Sequence, residues 1–367
     1  MNSSLNLRFF AHSWRSDWNH GNAHFLRGLV TELGTLGHKV TCYEPEASWS
    51  YVNLLQEPNG RESVRQFETA FPQMQVVTYD STDVRELAHR ELRGADVVVV
   101  HEWTAPEVIH TLQDLKQTLG YRLLLHDTHH RAYTAPKSIG VFRVQQFDGV
   151  LAFGEVLRQI YLHKFGATQA WTFHEAADTR RFCPKNTDQP HELFWVGNWG
   201  DDERTHELQE FLIQPLSQLT STRAVYGVRY PSSAREQLKD AGIEYRGYLP
   251  NLEAPNVYSR SALTLHIPRR SYANGLSGVP TIRMFEVLAS GTPLICSPWS
   301  DAEGLFRTED YLTVSDGKAM LAEICHLLQD SVARAQLASN GIETIRQRHT
   351  CAHRAKQFEE ICEELGR

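Results

Sequence analysis

A chain of 367 residues exceeds the usual size of one hydrophobic core, and its formal charge of −7 disfavours binding to nucleic acid by phosphate neutralisation. Its 41% hydrophobic and 22% charged residues include no long biased tract, which excludes extensive disorder. The six cysteines stand singly, without CxxC or disulfide-framework spacing, and neither a leader-like N-terminus nor a membrane-length apolar run is found, so a cytoplasmic protein is expected.

Along the chain, short apolar or β-branched runs alternate with helical patterns, the mark of βαβ units and a parallel sheet. Residues 7–11 are predicted as a strand, 22–36 as a helix and 39–43 as the next strand. The runs Val97–Val100 and Leu123–Leu125 are predicted as buried strands with a helix over 105–119 between them, and a strand over 149–153 leads into a helix over 155–165. From 176 to 191 the pattern breaks into a polar, proline-containing stretch with the composition of an interdomain linker. Alternation then restarts, with strands at 193–196, 223–226, 263–267 and 293–296 and helices at 203–219, 233–241 and 282–289. Residues 318–364 carry only helical patterns. The expected architecture is α/β: two Rossmann-like domains, 1–175 and 192–345, facing each other across a cleft and joined by the linker 176–191. A C-terminal helix over 346–367 would pack back on the first domain.

In open parallel sheets ligands bind beyond the carboxyl ends of the strands, where helix N-termini favour anions. The corresponding loops are polar: 12–22, with His12, Asp17 and His20; His101-Glu102-Trp103; and His126-Asp127-Thr128-His129-His130-Arg131. In the second half they are Gly197-Asn198-Trp199-Gly200-Asp201-Asp202 and Pro268-Arg269-Arg270-Ser271-Tyr272. No GxGxxG follows the first strand and no GxxxxGK[ST] occurs, which argues against a dinucleotide-dependent dehydrogenase and a P-loop enzyme. Loops rich in Trp, His, Asn and carboxylate suit a polyhydroxylated ligand that takes hydrogen bonds and offers an apolar face. The spacing from His126 to His130 is no recognised zinc pattern, so no metal is expected.

The stretch from Pro280 to Ile295 is the most informative. Arg283 and Glu286 fall on the first turns of its predicted helix, and Ser290-Gly291-Thr292 closes it. A carboxylate so placed either accepts both hydroxyls of a ribose or favours the helix dipole; the residues alone do not choose between these.

The run Arg283–Pro293 resembles the donor-site segment of GT-B glycosyltransferases, in which the Glu binds the nucleotide ribose. Three other stretches agree with it in order. Gly21–Leu36 with Gly37–Thr41 resembles the first helix and second strand of the acceptor domain, His174–Pro184 the linker that closes it, and Phe194–Trp199 the opening strand and loop of the donor domain. The chain is thereby similar to the CgeB-like, spore-maturation-type group related to glycosyltransferase family 4.

That resemblance implies a metal-independent transferase moving a hexosyl or related sugar from a nucleotide sugar, such as a UDP-sugar, to an acceptor hydroxyl. The nucleotide sugar is a co-substrate and no bound cofactor is implied; the acceptor is a saccharide, a small molecule or a protein. On the donor side it implies Glu286, Arg283, Arg269, Arg270, Gly197, Asn198, Ser290, Gly291 and Thr292, with the arginines on the diphosphate. On the acceptor side the candidate base or positioning groups are Asp17, His20, Glu102, His126 and Asp127. Glu102 and Asp127 stand foremost because each follows a strongly predicted strand. Family 4 carries a second Glu about two helical turns before the ribose Glu, where this chain has Gly278. That difference keeps in view a catalytically silent sugar-binding or structural relative, and the resemblance also admits a sugar-nucleotide epimerase or hydrolase on the same fold.

Overall fold

Runs such as Val-Val-Val-Val and Leu-Leu-Leu form strands buried on both faces, which is why they show no apolar–polar alternation. The computed structural model describes residues 4–185, 192–200 and 202–366. The part of the expected linker over 186–191, Asp201 and the last residue of the expected C-terminal helix lie outside the described residues. The chain forms two units: Met1–Glu175 with Cys351–Arg367, and Ala176–Thr350.

The first unit contains a seven-stranded sheet built from β1 (Asn6–Phe10), β2 (Lys39–Pro45), β3 (Val76–Tyr79), β4 (Val97–His101), β5 (Arg122–His126), β6 (Gly149–Ala152) and β7 (Ala170–Thr172). The strand order is β3-β2-β1-β4-β5-β6-β7 and every pairing is parallel. The order reverses between β1 and β4, so the chain leaves their carboxyl ends toward opposite faces of the sheet. The helix Cys351–Glu364 belongs to this unit. Its buried positions Cys351, Arg354, Ala355, Phe358, Ile361 and Cys362 recur at helical spacing. The Phe358 ring centroid lies 5.7 Å from that of Phe9 and 6.5 Å from that of Phe173.

The second unit repeats the plan with β8 (Glu192–Val196), β9 (Arg223–Tyr226), β10 (Glu244–Tyr245), β11 (Ser261–His266), β12 (Leu294–Cys296) and β13 (Leu312–Thr313), ordered β10-β9-β8-β11-β12-β13 and again parallel. Its reversal lies between β8 and β11. The helix expected over 203–219 is interrupted: Thr205–Leu208 is α-helical, Gln209–Ile213 forms a π-helical turn, and Gln214–Ser217 resumes the α-helix. Pro215 is the physical reason, because it offers no N–H and its ring would crowd the carbonyl four residues earlier in a regular α-helix. Among the described residues no helix is long and apolar enough to cross a membrane.

Phe358 is fully buried against the sheet. Phe358→Ala is expected to destabilise the first unit by about 3–5 kcal/mol, which chemical denaturation followed by circular dichroism measures.

Candidate active site

Beside the β8–β11 reversal, the loops after β8 and β9 meet backbone to backbone. A Cβ on Gly197 would lie 2.7 Å from the Trp195 ring, and one on Gly227 would overlap the Gly197 carbonyl, so both positions demand glycine. The Asn198 side-chain oxygen accepts from the Val228 N–H at 2.8 Å and ties the loops after β8 and β9 together. Into this corner reaches Arg204. Its Nη1 donates to the Ile267 carbonyl, just past β11, at 2.9 Å, and its Nη2 donates to the Asn198 carbonyl, just past β8. One guanidinium thus bridges the ends of both central strands, 5.2 Å from the centre of the Trp195 ring. Its Nε is buried and has no hydrogen-bond partner among the described residues. Burial, followed by the nearby charges of Arg269 and Arg283, lowers its pKa to about 10, so it remains a cation at neutral pH.

β11 ends at His266, whose Nε2 lies 2.9 Å from the Thr281 hydroxyl and whose Nδ1 lies 3.0 Å from Cys296 Sγ. Burial, then Arg204 and Arg283, lowers its pKa to about 3, which keeps the imidazole neutral. Thr281 is the N-cap residue of the helix Ile282–Ala289, but its side chain makes no capping bond, so the first N–H groups of that helix receive no side-chain cap.

One turn in, Arg283 and the fully buried Glu286 form an ion pair, and the Tyr258 hydroxyl joins them. It donates to Glu286 Oε2 at 3.3 Å and accepts from Arg283 Nη1 at 3.0 Å. Burial pulls the Arg283 pKa down, but Glu286 and Tyr258 outweigh it and raise the value.

Of the remaining donor-side candidates, Arg269 lies near enough to Arg204 to act on its charge. Ser290, Gly291 and Thr292 lie at the far end of the same helix, about 12 Å along its axis from the start. There the Ser290 hydroxyl donates to the Glu286 carbonyl at 2.8 Å and the Thr292 hydroxyl to the Tyr258 carbonyl at 2.8 Å. Arg269 pairs with Glu203, and Arg270 pairs with Glu207 at 2.8 Å. Gly278 has φ +85°, and a Cβ there would stand 2.6 Å from Glu303 Cγ. No larger side chain fits that position unless Glu303 moves.

In the first unit the ends of β1, β4 and β5 gather imidazoles. The His12 ring centroid lies 4.0 Å from that of His20 and 5.6 Å from that of His101, and His101 lies 5.8 Å from His126. Burial keeps all four neutral. It lowers His12 to about 4, helped by Arg131, and His126 to about 3, and it holds His20 and His101 well below the ordinary histidine value. His12 Nδ1 and His126 Nε2 are buried and have no hydrogen-bond partner among the described residues.

Glu102 is fully buried, accepts from the Thr128 N–H at 3.1 Å and pairs with Arg131 at 2.9 Å. Burial raises its pKa despite Arg131. Asp127 accepts from the His129 N–H at 3.0 Å through Oδ1, while Oδ2 is buried and has no partner among the described residues. Burial, then the adjacent Glu102, pushes its pKa well up. Asp17 pairs with Arg27 at 3.0 Å.

The structure therefore brings His20 and His126 into one group and sets Asp127 beside Glu102, while the Asp17 carboxylate is paired with Arg27. Sequence reasoning noted His12 and His101 only as members of polar loops and missed Arg204, Tyr258 and His266. Their signal was the reversal of strand order, which sets which loops are neighbours. Among the described residues no group of three or more His, Cys, Asp or Glu is arranged to hold a metal ion.

Residues 204–360 match the family model described as glycosyl transferase-like. No curated protein matches the chain in sequence. Among solved structures, the chain is similar over 98% of its length to 99% of Anabaena HepE in complex with UDP and glucose, with a TM-score of 0.72 at 12% identity. It is similar over 98% of its length to 99% of sucrose-phosphate synthase from Thermosynechococcus elongatus (TM-score 0.66, 14% identity). A glycosyltransferase from Rickettsia africae is similar over 99% of both chains (TM-score 0.68, 12% identity). At these identities the likeness is one of fold: the chain has the GT-B architecture of two parallel α/β units.

The histidines give the fold a pH dependence. Each has an ordinary pKa of 6.5 in the unfolded chain and a lowered one when folded, with His12 near 4 and His126 and His266 near 3. As pH falls below 6.5 the unfolded chain binds protons that the folded chain refuses, so stability is full above that pH and drains away toward pH 4. Each histidine contributes up to about 1.4 kcal/mol per pH unit in that window. Glu102 and Asp127, raised when folded, act in the opposite sense but are outnumbered. The melting temperature is expected to drop steadily from pH 6.5 to 4.5 in scanning calorimetry, and His126→Phe to flatten the slope.

Proposed function

We propose that the chain is a metal-independent glycosyltransferase that moves a hexosyl or related group from a UDP-sugar to an acceptor hydroxyl, the second unit holding the donor and the first the acceptor. The observation that carries this reading is Arg204, a buried cation at the strand reversal with Arg283 close enough to depress its pKa. A nucleoside diphosphate leaving group gains negative charge as the glycosidic bond breaks, and fixed cations in a dry site stabilise that charge without reorganising. Arg204 and Arg283 supply the cations, the uncapped N–H groups of the helix Ile282–Ala289 add a positive dipole end, and the glycine-lined loop at Gly197 and Asn198 lets backbone approach the phosphates. Glu286, fixed by Arg283 and Tyr258, is the acceptor for the ribose hydroxyls. The UDP-bound and UDP-glucose-bound forms of HepE, which share the fold, support the choice of base.

On the acceptor side, Asp127 is the group best suited to take the hydroxyl proton, because burial raises its pKa and its Oδ2 has no hydrogen-bond partner among the described residues. Glu102 is neutralised by Arg131, Asp17 is held by Arg27, and His20 and His126 serve as neutral hydrogen-bonding groups.

Arg204→Gln is expected to weaken UDP binding by about 1.5–3 kcal/mol, or about 10- to 150-fold, while uridine binding changes little. Glu286→Gln should weaken both ligands. Calorimetry on folded variants decides this, and unchanged UDP affinity in Arg204→Gln would remove the donor-site assignment. Asp127→Asn is expected to lower turnover by about 10²- to 10⁴-fold at unchanged UDP affinity, measured in EDTA, where wild-type turnover persists.

A further inference from the structure

Trp103, directly after β4, is unlike most tryptophans of the chain. Trp14, Trp18, Trp195, Trp199 and Trp299 are buried, whereas Trp103 is 45% exposed. Exposure of an indole costs hydrophobic stabilisation, and here it is combined with immobilisation. The Arg131 guanidinium lies over the ring at 3.9 Å from its centroid, and the His129 ring stands edge-on at 5.5 Å. Arg131 is itself locked, donating to the Glu102 carboxylate at 2.9 Å and to the Glu102 carbonyl, and Glu102 is fully buried. A buried carboxylate thus holds a guanidinium, and the guanidinium holds an indole that remains 45% exposed. The Trp103 backbone N–H donates to His101 Nδ1 at 3.4 Å, which ties the main chain beneath the indole to the imidazole group.

Electrostatics narrow what can lie on that platform. Each arginine near these strand ends is neutralised by a carboxylate: Arg131 by Glu102, Arg27 by Asp17 and Arg15 by Glu44. The imidazoles beside them are neutral. With these three arginines paired, their charge is not free for a phosphate or carboxylate, whereas neutral imidazole both donates and accepts and so matches hydroxyl groups. An electron-rich ring face in turn suits the slightly positive C–H face of a sugar ring.

We propose that the exposed face of Trp103 is the platform on which a neutral pyranoside acceptor stacks, with the imidazole of His12, on the neighbouring strand end, meeting its hydroxyls. The proposal rests on the first unit being the acceptor side of a transferase, and it selects an uncharged saccharide from the possible acceptor classes. Glu102 and Arg131 are then positioning residues that act through Trp103.

The test uses the full chain on an array of neutral oligosaccharides and methyl pyranosides, with hexuronides and sugar phosphates on the same array and UDP binding followed separately by calorimetry. Neutral saccharides are expected to bind, Trp103→Ala to weaken them about ten-fold or more, and Trp103→Phe to restore affinity to within about three-fold. The proposal is overturned if wild-type protein retains no neutral saccharide, if it retains only the charged sugars, or if a folded Trp103→Ala protein binds as the wild type does. Because Trp103 and Arg204 lie in different units, UDP binding without saccharide binding would sink this inference alone. Saccharide binding without UDP binding would sink the donor-site reading alone.

Discussion

Where a parallel sheet reverses its strand order, the two central strands send their chains to opposite faces, and the carbonyls at their ends lose the neighbours that satisfied them inside the sheet. The second unit meets this constraint with a single side chain, since Arg204 donates to the carbonyls of Asn198 and Ile267 at once. A planar guanidinium can span two diverging loops in a way that a point-like ammonium cannot. The bridge also brings a full positive charge into a buried corner where, among the described residues, no carboxylate forms an ion pair with it. Glu203, the nearest acidic residue in sequence, is paired with Arg269 instead. The contact that ties the two loops together is therefore also the one that places the buried cation.

The first unit has the same strand plan but gathers imidazoles at its reversal. His12 and His101 follow or end the two central strands, and His126 ends the next one. These rings pack with one another and are too buried to ionise, so the corner is polar without being charged. One architecture thus presents two chemically opposite surfaces, which is why fold alone says little about ligand and the side chains at the reversal say much.

What could be read in the sequence followed from burial. The central strands were legible because two-sided burial writes itself as uninterrupted Val or Leu, and the pair Arg283 and Glu286 was legible because three-residue spacing puts both on one helical face. The short strands Val76–Tyr79, Ala170–Thr172 and Glu244–Tyr245 were not, being flank or edge elements of two to four residues with no fully buried run. Arg204 was invisible for a different reason: at the start of the expected helix 203–219 it looks like any solvated arginine until the strand order brings Asn198 and Ile267 to either side of it. Conversely, Arg269 and Arg270 drew attention as a basic pair, yet the fold supplies Glu203 and Glu207 opposite them. Loop composition registers charge, and only topology registers whether that charge is already matched.

The helix Cys351–Glu364 completes the hydrophobic core of a unit whose sheet ends at residue 172. During synthesis, the sheet of the first unit emerges long before the aromatic side chain of Phe358 that seals it, and the whole of the second unit is made in between. The second unit is contiguous and can close as soon as it leaves the ribosome, so the order of maturation runs against the order of translation. The nascent first unit must wait with an apolar flank uncovered, and in that interval it is a client for any chaperone that binds exposed apolar surface.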